Sequence, residues 1–366
     1  MKRFGLALFF IALVCIVLLS ACQNPALTGA KVYIQQQDWT SAQEQLEIAI
    51  QQEPGNAEAH FLLGRAYGEK EMYEDMVREF QVSLEISEKW RPDIERVRNE
   101  KWDMAANRGL KAYNDGDIQK AIEGYKTAIV IDAQKPEAYI NLGLAYHSMD
   151  QFDEALENYN RVFELQPDYV PVIINAGSIY LNRGEFKKAE ELFIRALELD
   201  PVQKNALSTI TLTYERMAQD RKADLKSAAS LEDSTQILED VKSILDKAVV
   251  YYNQAIEGYP EDKEFYLNLG ILYFQNLKNF QAASPNFRKV TELDPDDANA
   301  WYNLAITHVA LNDIDGAKTM LERVIELEPD NADAWYQLGV IYIKKGMKAE
   351  GEEAFKRAEE LQSQEE

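Results

Sequence analysis

Cysteine is nearly missing from this chain: its 366 residues hold two, Cys15 and Cys22. Cys15 lies inside an apolar leader, so only Cys22 would persist in a processed chain and no internal disulfide could form. An exported chain of this size must then be held together by its core. Histidine is as scarce, with three residues, His60, His147 and His308. They fall at three different phases of the internal repeat described below, which predicts that they share no metal site and no catalytic grouping. Phosphate-cradling glycine loops and metal-type Cys and His spacings are lacking too. The many Asp and Glu residues read as solvated helix faces rather than paired acid and base. The expectation is a chain that needs no cofactor or metal and is not an enzyme.

Positive charge is the other deficit. Lys and Arg number 39 against 62 Asp and Glu, a formal charge of −23; without Lys2 and Arg3 of the leader the balance is 37 against 62, or −25. Nucleic acid is bound by neutralising its phosphates, and a field of this sign repels them. It also disfavours broad adsorption on anionic lipid. What the chain does have is apolar content, 46% hydrophobic beside 28% charged residues. That composition belongs to a folded protein, since disordered chains lack the apolar surface to offset their ordering entropy.

The leader comes first. Lys2 and Arg3 precede an apolar run from Phe4 to Leu19, which as a helix would span ~24 Å against the ~30 Å of a bilayer core. A basic start, a short apolar centre and small residues at Ser20 and Ala21 describe a cleavable export signal. Leu19-Ser20-Ala21-Cys22 resembles the lipobox of bacterial lipoproteins. That resemblance implies a signal peptide over residues 1–21, acylation of Cys22, and stable anchoring by two or more acyl chains. Gln23 after the cysteine resembles lipoproteins sorted to the outer membrane, so the expected location is the cell envelope, lipid-anchored on the periplasmic face of the outer membrane. The alternative is an uncleaved signal anchor in which Cys22 is incidental. Asn24 can cap a helix and Pro25 can occupy its first turn, so helical structure is expected within three residues of Cys22.

Beyond the leader the chain repeats itself every 34 residues. Trp335, Leu338, Gly339 and Tyr342 show the spacing most clearly; Tyr139, Leu142, Gly143 and Tyr146 repeat it, as do Tyr266, Leu269, Gly270 and Tyr273, and His60, Leu63, Gly64 and Tyr67. Further on, a small residue is followed by a large one four places later and often by a proline, as in Ala189, Phe193 and Pro201 or Ala155, Tyr159 and Pro167. Such spacing makes one apolar face per helix, small residues let two helices approach closely, and proline ends the second helix. The pattern resembles the tetratricopeptide repeat. The resemblance implies an all-α, right-handed superhelical solenoid of about nine helical hairpins over residues 22–366. Its units start near residues 23, 57, 102, 136, 170, 204, 263, 298 and 332. No hairpin of this kind can bury its own apolar face, so successive hairpins stack into a continuous core.

Two insertions break the period. Residues 91–101, with Pro92 suited to a helix start, predict a first helix lengthened by about three turns in the third unit. In the sixth unit Thr211 and Ala248 are 37 residues apart, which leaves about 25 extra residues. They read as helix, a Ser-rich break from Ser227 to Ser234, and helix again along Ile237, Val241, Ile244, Leu245 and Ala248, with Asp233 and Gln236 as the expected cap.

In tetratricopeptide proteins the fifth, ninth and twelfth positions of each unit line a concave groove. The resemblance carries this role onto Leu267, Ile271 and Phe274, onto Tyr302, Ile306 and Val309, and onto Tyr336, Val340 and Ile343. All nine are apolar. A helix apolar on two neighbouring stripes is either deeply buried or offers an interaction surface, and the expected function is a non-catalytic scaffold binding other envelope proteins or peptides there. The alternative is a carrier or sensor of an apolar small molecule or lipid. The lysines and arginines with which some members clamp a terminal carboxylate are lacking. A second candidate surface is Lys89, Arg91, Arg96, Arg98, Lys101, Arg108 and Lys111, crowded into 23 residues; the competing expectation is neutralisation by Asp93, Glu95, Glu100 and Asp103.

Overall fold

Polar caps set where many of the helices start, and small residues set how closely two helices approach. The structure, a computed structural model, describes residues 24–365. Among these residues every regular element is helical. The leader and Cys22 lie outside them, and no helix among them is long and apolar enough to cross a membrane. Between Tyr169 and Val170 the chain divides into two compact units.

In the first unit α1 (Pro25–Gln35) pairs with α2 (Trp39–Gln52), α3 (Ala57–Glu69) with α4 (Tyr73–Ile86), α5 (Arg91–Asn114) with α6 (Ile118–Ile131), and α7 (Pro136–Ser148) with α8 (Phe152–Leu165). In the second, α9 (Val170–Asn182) pairs with α10 (Phe186–Leu199), α11 (Lys204–Ala223) with α12 (Leu231–Gly258), α13 (Lys263–Ile271) with α14 (Phe280–Leu293), α15 (Ala298–Ala310) with α16 (Ile314–Leu327), and α17 (Ala332–Lys344) with α18 (Lys348–Glu365). Within each unit every hairpin also packs on the next, the all-α solenoid architecture the repeats imply.

Local chemistry explains the repeat. Asn24, Asp38, Asn56, Asp117, Asp262, Asp297, Asp313 and Asn331 each cap a helix by accepting a backbone N–H in its first turn, satisfying donors the helix cannot. Glycine on the first helix makes room for a ring from the second. Phe80 lies over Gly64, Phe193 over Gly177, Phe287 over Gly270 and Phe355 over Gly339. The tryptophan and the proline of the pattern are themselves joined. Trp301 Nε1 donates to the Pro295 carbonyl at 2.9 Å and Trp335 Nε1 to that of Pro329 at 3.0 Å. His60 stands at the same repeat position, and its Nε2 lies 3.0 Å from the Pro54 carbonyl.

Both insertions are helical. The 24 residues of α5 form one unbroken helix with Pro92 in its first turn. α11 and α12 extend into a long hairpin closed by a 3₁₀ turn, Asp224–Ser227. Its second helix starts earlier than the spacing suggests: the cap is Ser230, whose Oγ accepts the Asp233 N–H at 3.0 Å, and not Asp233. A third irregularity was missed. The units near 263 and 298 are 35 residues apart, and a π-helical turn at Leu272–Asn276 takes up the extra residue; one inserted residue in a helix is accommodated in this way.

Glu215 on α11 is half-buried against α12, where Tyr252 Oη donates to it at 2.7 Å. Burial raises its carboxyl above the usual range, and the Tyr252 hydrogen bond opposes part of the rise. A carboxyl with a raised folded-state pKa favours folding fully below its unfolded value, and the contribution is lost as pH rises through the folded value. Glu215→Gln keeps an oxygen for Tyr252 and removes that loss. The melting temperature of the variant relative to wild type should therefore climb as pH rises through the ordinary carboxyl range and beyond it. A pH-independent difference in calorimetry would refute the assignment.

Candidate functional site

The nine positions expected to line a groove lie on α13 with its π-turn, on α15 and on α17. Leu267, Ile271 and Phe274 are half-buried and pack against a core of Ala283, Phe287 and Leu304. The Phe274 ring lies 5.2 Å from that of Phe280, tilted by 58°. Tyr302 and Val309 lean on the next core cluster, formed by Ala298, Ala305, Leu338, Ile341 and their neighbours. Burial raises the Tyr302 phenol above its ordinary value, and its hydroxyl meets the Gln337 side chain. Trp301 and Met320 touch both clusters, so the two sets are contiguous. Ile306 and Val340 are half-buried.

Exposure grows toward the last hairpin, where Tyr336 is 50% and Ile343 43% exposed. The Tyr336 ring sits 5.3 Å from Phe355, and Ile343 lies over Gly351 of α18. All nine positions thus spend part of their surface on packing, and Tyr336 and Ile343 are the two with the most surface left to offer.

The basic segment is not an open cationic face. Arg91 pairs with Glu88, Arg96 with Asp93 at 3.3 Å, Lys101 with Glu69 at 3.0 Å, Arg108 with Glu71 at 2.9 Å and Lys111 with Asp115 at 3.5 Å. Arg98 faces Asp132 at 3.7 Å, and Lys89 stands over the Trp90 ring at 5.0 Å. Neutralisation wins, although several partners come from neighbouring helices instead of α5.

One histidine joins a Ser-His-Asp chain that the repeat spacing does not reveal. His308 Nδ1 lies 2.8 Å from Asp313 Oδ2 and His308 Nε2 lies 3.3 Å from Ser284 Oγ. With Nδ1–H donating to the carboxylate, Nε2 is left to accept the serine hydroxyl. The arrangement resembles a nucleophilic triad in connectivity but not in setting. Ser284 is buried inside α14, and the next residue, Pro285, has no N–H with which to stabilise an oxyanion. Asp313 Oδ1 meanwhile caps α16 by accepting the Gly316 N–H at 3.1 Å. The chain therefore ties α14, α15 and the start of α16 together. The hydrogen bond from His308, followed by that from Gly316, holds the Asp313 carboxyl below its usual range. His147 only packs, its ring 5.7 Å from Phe152. No group of three or more metal-ligating side chains occurs among the described residues.

A stack of helical hairpins with apolar first-helix faces defines a class, the repeat scaffolds that hold peptides or other proteins. Family models described as Tetratricopeptide repeat match residues 27–75, 136–169, 170–203, 277–326 and 302–366, and one described as TPR repeat matches 109–150. Together they cover more than half of the chain, which belongs to the tetratricopeptide repeat family.

Over 72 residues the chain is 38% identical to human Protein O-mannosyl-transferase TMTC3, a stretch that is 20% of this chain and 8% of that protein. An overlap of that extent establishes no transferase activity here. Among solved structures, the C-terminal part of a TPR repeat-containing protein from Cytophaga hutchinsonii is similar over 69% of this chain and 93% of its own, at 17% identity and a TM-score of 0.55. YrrB, described as a TPR protein with an unusual peptide-binding site, matches 58% of this chain and 97% of its own at 22% identity and a TM-score of 0.44. At 17% identity the likeness to the Cytophaga hutchinsonii structure is one of fold.

Proposed function

We propose that the protein is a non-catalytic scaffold of the bacterial cell envelope, held through acylated Cys22 on the periplasmic face of the outer membrane, that captures partner proteins or peptides on the apolar faces of α13, α15 and α17. The observation that carries the reading is the unbroken apolar character of the fifth, ninth and twelfth positions in three consecutive units, ending in the exposed Tyr336 and Ile343. An amphipathic helix or extended apolar peptide buries such side chains on binding.

The test uses the full-length protein in its host. Tyr336→Ser with Ile343→Ser should cut crosslinked partner recovery about tenfold in a chain whose circular dichroism still shows it folded, and Cys22→Ser should move the protein from the membrane pellet to the supernatant. Undiminished recovery would rule out the groove, whereas a stoichiometric bound lipid in native mass spectrometry would favour a carrier. Phe274 is the wrong residue for this test: its packing against the core mixes loss of binding with loss of stability.

A further inference from the structure

The long hairpin of α11 and α12 carries a second apolar surface, separate from the groove. α12 reads in heptads: Leu231-Glu232, Leu238-Glu239 and Leu245-Asp246 recur every seven residues. Ile237, Val241, Leu245, Ala248 and Tyr252 are buried. The heptad leucines do not share that fate evenly. Leu245 is buried, but Leu238 is 51% and Leu231 84% exposed, the highest exposure of any large apolar side chain among the described residues.

Seven residues are nearly two turns of helix, so Leu231 and Leu238 form one stripe, beside which Glu232, Glu239 and Asp246 form a second. All three acids are exposed. Lys242, one turn beyond Leu238, pairs with Asp246 at 2.7 Å, which leaves Glu232 and Glu239 as the acids free to meet a partner. A single exposed leucine is ordinary. A heptad leucine stripe flanked by a heptad acidic stripe is instead the pattern by which one helix selects another, apolar positions giving contact and flanking charges giving choice of partner.

We propose that the outer face of α12 docks an amphipathic helix of opposite character, with apolar residues seven apart and lysine or arginine beside them. Charge decides the occupant. A second copy of this chain would set Glu232 and Glu239 against the same acids, within a molecule of formal charge −23, so self-association along this stripe is repelled. A basic helix gains from both stripes.

The probe is a synthetic peptide of three heptads with leucine at every seventh place flanked by lysines, titrated into the full chain at low ionic strength and followed by fluorescence anisotropy. Saturable binding is expected, and Leu231→Ser with Leu238→Ser should weaken it about tenfold or more. Glu232→Lys with Glu239→Lys should weaken it too, as should added salt, while a peptide with glutamate in place of lysine should not bind. All four positions are exposed, so circular dichroism should show every variant folded and a loss of binding in a folded variant is a loss of contact. No saturable binding, or binding that survives both double variants, overturns the proposal. So does binding abolished only by Tyr336→Ser with Ile343→Ser, which would place the peptide in the groove and leave the groove reading intact.

Discussion

Gly124→Ala should destabilise the first compact unit by about 2–3 kcal/mol, although replacing glycine by alanine inside a helix ordinarily stabilises by about 0.5–1 kcal/mol. The sign reverses because of what the new methyl group would meet. A Cβ at Gly124 would lie 2.6 Å from the amide nitrogen of Gly109, 2.7 Å from its Cα and 3.1 Å from the Ala105 carbonyl oxygen. All three obstacles are backbone. No rotamer change can clear them, so α5 and α6 must move apart over a contact that also seats Tyr125 on Gly109. Gly29→Ala on α1 is the control, since the nearest atom to its Cβ would be Gln45 Oε1 at 3.7 Å, an ordinary contact. It should be neutral or stabilising in the same urea titration. A Gly124→Ala protein as stable as wild type would show that the two helices are not in backbone contact.

That contact was legible only in part. The repeat spacing identifies small residues as helix-approach points, but Gly124 stands one unit's length from positions held by bulkier residues elsewhere, such as Asn158 in α8. Its partner Gly109 belongs to the helix lengthened by the insertion. The features that recur along the chain were readable because each rests on a local rule: small residues where helices approach, a large residue four places on, proline after the second helix. Features made by one unit alone were not. The π-turn follows from a single extra residue, which shows as a spacing of 35 against 34, and it sits in the hairpin that supplies Ser284 to His308 of the next hairpin. The Ser230 cap was missed because Asp233 also has capping chemistry, and three residues is less than one turn. As for the proposed groove, the family resemblance assigned the nine positions but carried no information on their exposure. That depends on how far each side chain reaches toward the neighbouring helix, and it singles out Tyr336 and Ile343.

Phe287→Ala should have the largest effect on stability, a loss of about 3–5 kcal/mol, and it should reach the groove as well. Phe287 is 1% exposed and, with Ala283 and Leu304, forms the floor on which Leu267, Ile271 and Phe274 rest. Its ring also fills the notch left by Gly270, where a Cβ would come within 2.7 Å of Cε1, 2.9 Å of Cδ1 and 3.0 Å of Cζ. Gly270→Ala in the wild-type protein therefore overpacks the pair, at a cost of about 1–3 kcal/mol. With the ring gone the same methyl group has room, occupies part of the cavity and brings alanine's helical preference. Gly270→Ala should then stabilise the Phe287→Ala protein, giving a coupling of about 1 kcal/mol or more in a double-mutant cycle. Equal costs of Gly270→Ala in the two backgrounds would mean that the ring does not rest on the glycine. Because the floor lies beneath Phe274 and not beneath Tyr336, capture through the last hairpin should survive better than contacts at α13, which separates a collapsed floor from a lost binding surface.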